Sequence, residues 1–161
     1  MAAGDARINA LRVTLTVVLA LIFMIVELPT SIERARPELL ILVVIYWSLS
    51  APRIAGLTFA WFCGLAVDVL TGPILGQHAL AFLLVAFLTH KFQLRMRIFP
   101  IWHQTLTVFM LLALYEFVVF WIDGIIGPAI TTWTRWMPVL TSAILWPVLV
   151  AVLDTWNRRR R

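Results

Sequence analysis

Asp68 and Glu116 need explaining first, because each interrupts a run of apolar side chains. An ionisable group in the middle of a membrane helix costs about 2.5–3.5 kcal/mol on insertion scales, so it is kept for a purpose. A carboxylate there can lock two helices together, shape a binding pocket or pass protons. Two scattered carboxylates do not make a relay, which leaves the locking contact and the pocket as open readings. Glu27 and Asp123 stand at the ends of similar runs. Around Asp68, the residues Gly64, Gly72 and Gly76 recur at a spacing of four. Gly64, Asp68 and Gly72 share one helical face, and small residues so placed let helices approach closely. Pro73 should break the register before Gly76, which then serves a turn.

Other chemistry finds no footing. His78, His90 and His103 lack ligand spacing, and there is no Cys-x-x-Cys or His-Glu-x-x-His. There is no Gly-x-Ser-x-Gly elbow, no phosphate-cradling loop and no nucleophile beside a base. Catalytic residues, cofactors and metals are therefore not expected. Cys63 is the single cysteine and lies within an apolar run, so no intrachain disulfide can form.

The elements that must position these residues are membrane helices. Of 161 residues, 62% are hydrophobic and 13% charged, with a mean hydropathy of +0.95. A soluble chain is usually near half apolar and about a quarter charged. A small globule has too much surface to hide the excess, and disorder is excluded by the same composition. The reading is an all-α integral membrane protein, a single membrane domain over 1–161. It has six spans, at about 13–28, 39–51, 54–72, 76–90, 101–122 and 136–153. The first span follows a basic start, as a signal peptide would. No convincing small-x-small cleavage site comes after it, so it is expected to be retained. The second is short: twelve residues rise about 18 Å against a hydrocarbon layer of about 30 Å. Lys91–Pro100 reads as a basic connection and Asp123–Arg135 as a loop.

The formal net charge of +5 sits at the ends of apolar runs, which fits topology and anionic lipid rather than nucleic acid. With both termini inside, ten basic residues face the cytoplasm: Arg7, Arg12, Arg53, Lys91, Arg95, Arg97, Arg158, Arg159, Arg160 and Arg161. Three, Arg34, Arg36 and Arg135, lie outside. Removing the second span as a crossing would invert the later basic loops. Six crossings, N-in and C-in, satisfy the positive-inside bias. All four acids named above then fall in the outer half of the membrane. Asp68 lies roughly 6 Å below the outer end of its span, near the partially negative C-terminus of its own helix. A cation should resolve that conflict, and Arg36, at the outer entrance to span two, is the expected partner. The Arg158–Arg161 run could anchor the topology, bind anionic headgroups at about 1 kcal/mol per residue, or dock a cytoplasmic protein.

Trp102, Trp133, Trp136 and Trp156 lie near the ends of runs, where an amphipathic ring prefers the headgroup region. Trp47, Trp61, Trp121 and Trp146 are deeper and expected to pack between helices. Pro147, mid-span, should kink the last helix, with Thr141 or Ser142 serving the freed carbonyl of Ala143.

Taken together, several strings resemble the rod shape-determining MreD family. They are Arg36-Pro37 with leucine-rich sequence to Tyr46-Trp47, Gly64-Leu65-x-x-Asp68 and Gly72-x-x-x-Gly76. Lys91-Phe-Gln-Leu, Trp102-His103-Gln104 and Trp146-Pro147 belong to the same pattern. The resemblance implies a non-enzymatic inner-membrane subunit of the elongasome, which builds the cylindrical cell wall. It implies association with MreC, a bitopic membrane protein, through that protein's transmembrane helix. Through MreC it implies indirect connection to MreB, to RodA and to RodA's class B penicillin-binding transpeptidase partner. The motif positions carried over are Arg36, Trp47, Gly64, Asp68, Gly72 and Gly76, and no catalytic residue comes with them. The family is similar to the six-helix substrate-binding components of energy-coupling-factor transporters, a likeness of fold that does not establish transport. The alternative is a small-molecule or lipid-binding or transport component with a pocket near Glu27, Asp68 and Glu116 in the outer half of the membrane.

Overall fold

The computed structural model describes residues 2–27, 29, 33, 35–72, 74–127 and 133–158. Among them are six α-helices: α1 (Ala2–Ile25), α2 (Leu39–Ser50), α3 (Leu57–Thr71), α4 (Gln77–Ile98), α5 (Ile101–Ile126) and α6 (Met137–Arg158). A 3-10 turn, Trp133–Trp136, leads into α6. Arg34, Pro73, Arg159, Arg160 and Arg161 lie outside the described residues, and Arg158 is described in its backbone alone.

A helix that is apolar on every side must be surrounded by protein or lipid. α2 is surrounded by protein: Leu40 to Leu49 are all buried, against neighbours on α1, α3, α4 and α6. Trp47 and Trp146 are among the largest fully buried side chains, and they fill the core with Phe82, Ile41 and Leu42. The outer helices are inside-out by the standard of a soluble protein. Along α5, Trp102, Leu106, Met110, Phe117, Trp121 and Ile125 form one exposed stripe, the face such a helix turns to hydrocarbon. Three helical stretches are long and apolar enough to cross a membrane, Gln77–Ile98, Ile101–Ile125 and Trp133–Asn157. The apolar parts of the others, Ala10–Ile25, Leu39–Ser50 and Leu57–Thr71, are shorter.

Several expectations are corrected here. Lys91–Pro100 is not a connection, because α4 continues to Ile98. Its last turns reach back to the C-terminus of α2, whose final carbonyls lack intrahelical partners. Arg97 Nε donates to the Leu49 carbonyl at 2.9 Å and Gln93 Nε2 at 3.2 Å. The presumed loop at Asp123 is likewise helical, since α5 runs to Ile126. Trp121 is 65% exposed rather than packed between helices. α6 runs on through Pro147. Neither Thr141 nor Ser142 serves Ala143: Thr141 Oγ1 bonds the Met137 and Pro138 carbonyls, and Ser142 Oγ accepts the Glu38 N–H at 2.8 Å.

Polar contacts tie α1, α2 and α6 at the end of the bundle where Arg97 meets Leu49. Arg12 Nη1 donates to Asn157 Oδ1 at 2.7 Å, the Tyr46 hydroxyl to Asp154 at 2.8 Å, and Trp47 Nε1 to Thr16 Oγ1 at 2.9 Å. The opposite end carries the α3–α4 turn, where Gly72 (φ 76°) and Gly76 (φ 103°) adopt the left-handed backbone that glycine alone takes at little cost. That turn brings α3 against α4 so closely that Gly64 has no room for a side chain. A Cβ there would lie 2.7 Å from Ala79 N and 2.8 Å from His78 O. Both are backbone atoms and cannot move aside. Gly64→Ala should therefore destabilise the protein by about 2 kcal/mol or more, read as a lower melting temperature in detergent. An unchanged melt would show that the two helices are not packed this closely.

Candidate functional site

The site is built on the α3–α4 turn. Asp68 is only 1% exposed, yet every lone pair finds a donor. Its carboxylate accepts the backbone N–H of Gly76 at 2.8 Å, of His78 at 2.9 Å and of Ala79 at 3.3 Å. Those are the first N–H groups of α4, which have no intrahelical partner. An N-cap normally comes from the same strand of chain; here it comes from the last turns of the preceding helix. His78 Nδ1 adds a contact at 2.8 Å to Asp68 Oδ1. The negative charge at the unfavourable end of α3 is thus met by the positive end of α4, with the His78 ring packed beside it. Arg36 is not the partner of Asp68: its Nη1 pairs with Glu33 at 3.1 Å and its guanidinium lies 5.0 Å over the Phe23 ring.

Glu116 and Asp123 lie two turns apart on α5, hence on one face. Arg135, from the 3-10 turn, bridges them. Its Nε donates to Glu116 Oε1 and its Nη2 to Asp123 Oδ2 at 2.6 Å, with Phe120 beneath the guanidinium at 5.4 Å. Gln77, the first residue of α4, donates to Asp123 Oδ1 at 2.6 Å. The bridge therefore joins the α6 approach, α5 and α4.

Between the two clusters stands Tyr115. Its ring is 6.1 Å from that of His78 and edge-on to Phe82 at 5.7 Å, and its hydroxyl donates to Glu38. Glu38 stands just outside α2. Burial, and after it the nearby charge of Glu116, pushes its carboxyl up to about 8. This side chain therefore carries a proton at neutral pH, and it serves as a hydrogen-bonding group rather than an ion.

Of the residues singled out in the sequence, the structure brings Asp68, Gly64 and Gly76 to one place, with Glu116 a short way along the same network. Trp47 sits deep in the core toward the other end, and Gly72 closes α3 with open space about it. Glu27 is exposed beyond α1 and takes no part in the network among the described residues. A cavity does lie at this end, but its lining includes Arg36, Glu38, His78 and Tyr115 rather than Glu27, Asp68 and Glu116. His78, Gln77, Tyr115, Glu38 and Arg135 were not singled out. One signal was available: Glu116 and Asp123, seven apart on an apolar helix, call for a cation, and Arg135 is the next basic residue along the chain.

Comparison with known proteins gives a consistent answer. The sequence model of the family described as rod shape-determining protein MreD matches residues 6–155. The chain is similar to the rod shape-determining protein MreD of Haemophilus influenzae, with 26% identity over 142 residues, 88% of each chain. No solved structure matches.

Two outcomes follow from this geometry. Asp68→Leu strands three N–H groups and His78, and should cost about 3 kcal/mol or more. Asp68→Asn, which keeps an acceptor, should lose less. Thermal melts in detergent rank the three proteins, and equal melts for Leu and wild type would remove the cap from the account. For Glu38, a raised carboxyl means that the fold binds a proton the unfolded chain releases at lower pH. Its contribution is complete below the ordinary 4.5 and fades as pH rises through about 8. Glu38→Gln should flatten the decline in melting temperature across that window, and an identical slope in both proteins would refute it.

Proposed function

This chain belongs to the MreD family of rod shape-determining proteins, and from that premise we propose that it is a non-enzymatic, multi-pass inner-membrane subunit of the elongasome. In this role it binds MreC through that protein's transmembrane helix and so helps organise lateral cell-wall synthesis and rod shape. MreB, RodA and RodA's class B penicillin-binding transpeptidase partner are reached through MreC. The observation that carries the reading is a family match spanning residues 6–155.

The chain crosses the membrane six times, with both termini in the cytoplasm, on the plan used by substrate-binding components of energy-coupling-factor transporters. Contacts at the two ends support the alternation: Leu49, Ala55, His90 and Arg97 meet at one end, whereas Glu38 and Ser142 meet at the other. The first end carries Arg12, Arg53, Lys91, Arg95 and Arg97 and is assigned to the cytoplasm by the positive-inside bias. α2 is too short to span hydrocarbon by itself, but its burial on all sides frees it from matching the lipid.

Gly64, Asp68 and Trp47 are buried within the bundle, so they act on a partner by fixing the helices, not by touching it. The docking face is better sought on α6. Pro147, Val148, Ala151, Val152, Thr155 and Trp156 line a shallow open hollow of about 700 Å³. Ala151, midway between Pro147 and Thr155 on one face of the helix, is the small residue there that would admit another helix closely.

Co-purification with MreC tests this. Ala151→Trp should reduce the MreC recovered by about tenfold while shifting the melting temperature by no more than about 2 °C. Asp68→Leu should lower recovery and melting temperature together. Full MreC recovery with Ala151→Trp would move the interface elsewhere, and no MreC with the wild-type chain would end the proposal.

A further inference from the structure

Among the described residues, a cavity of about 580 Å³ lies between α1, Glu33, the Arg36–Glu38 approach to α2, the first turn of α2, the end of α3, the beginning of α4 and Tyr115. Small-molecule sites commonly fall in the range of about 300–1,000 Å³. Two chemistries meet in it. Glu33, Arg36, Glu38, His78 and Tyr115 bring polar groups to the lining, and Met24, Val67 and Phe82 bring apolar surface. The cavity is bordered by Ile25 and Leu70, which also lie on the lipid-facing surface at 62% and 46% exposure. An occupant can therefore enter sideways from the membrane.

Arg36 is the residue in this lining with unspent capacity. Asp68 is satisfied by the start of α4, and Glu116 by Arg135. Arg36 uses Nη1 on Glu33, but its Nη2 is shielded from solvent and has no hydrogen-bond partner among the described residues. A guanidinium presents donors in a planar fork that matches phosphate or carboxylate oxygens. Glu38, protonated at neutral pH, would not repel an anion, and a carboxylic acid donates a hydrogen bond.

We propose that this cavity binds an anionic lipid, its phosphate paired with Arg36 and its acyl chain laid along Met24, Val67 and Phe82. The apolar residues in the lining and the sideways opening favour a lipid over free phosphate, which would use the polar groups alone. This site is independent of MreC capture, and its test reads lipid rather than partner.

The experiment is native mass spectrometry of the purified full chain in a neutral detergent. Phosphatidylglycerol, phosphatidylcholine with the same acyl chains, and inorganic phosphate are added in separate arms. The expected result is phosphatidylglycerol retained at least about tenfold better than phosphatidylcholine, consistent with a charge-assisted contact, and not displaced by millimolar inorganic phosphate. Arg36→Gln should bring phosphatidylglycerol down to the phosphatidylcholine level, Arg36→Lys should retain part of the preference, and Val67→Trp should reduce both lipids by filling the cavity. Equal retention of the two lipids by the wild-type chain overturns the proposal, as does displacement by inorganic phosphate or an unaltered preference in Arg36→Gln. If the variants fail to fold, the wild-type comparison decides alone.

Discussion

A carboxylate of one helix closing the open end of the next is the contact on which this bundle depends. Asp68 meets three N–H groups at the start of α4 and the ring of His78, and it can do so because α3 and α4 touch at Gly64. Each feature requires the other. Without a glycine at 64 the helices separate and the carboxylate no longer reaches across the turn. Without the carboxylate, buried donors remain unpaired in a medium that offers no water to replace the lost bonds. The left-handed Gly72 and Gly76 complete the device by turning the chain sharply enough to bring its two ends face to face.

The remaining polar groups extend from that point. Gln77 follows Gly76 and holds Asp123; Arg135 holds Asp123 and Glu116 together; Tyr115 joins the neighbourhood of His78 to Glu38. A low-dielectric interior strengthens such contacts and also makes an unpaired member expensive. The network therefore fixes how α4, α5 and the approach to α6 stand relative to α3.

Much of this was legible before any coordinates. Hydropathy marked six apolar runs, the Gly64–Asp68–Gly72 spacing marked a close helix face, and Gly76 was assigned to a turn. What failed has physical reasons. Asp68 suggests a pairing with Arg36 because sequence reading matches charge to charge, whereas the groups that meet it are mainly backbone N–H groups that no residue type announces. The C-terminal half of α4 reads as a connection because Lys91, Arg95 and Arg97 look like solvated charge; Arg97 in fact covers the Leu49 carbonyl at the end of α2. Trp121 was expected inside because it is far from the end of its apolar run, yet a membrane helix can turn large aromatic rings to lipid without penalty. Glu38 and Tyr115 gave no signal, since their pairing joins elements distant in the chain.

The burial of α2 bears on biogenesis. Its apolar surface is too short to hold a place in hydrocarbon alone, and its tethers come from both ends of the chain. Tyr46 waits for Asp154, 108 residues downstream, and Trp47 leans on α1 through Thr16. Arg12 meets Asn157 across 145 residues. The second helix is therefore covered in steps as the chain lengthens, by α1, then by α4, and its two ends are closed last, when α6 brings Asp154 to Tyr46 and Ser142 to the Glu38 N–H.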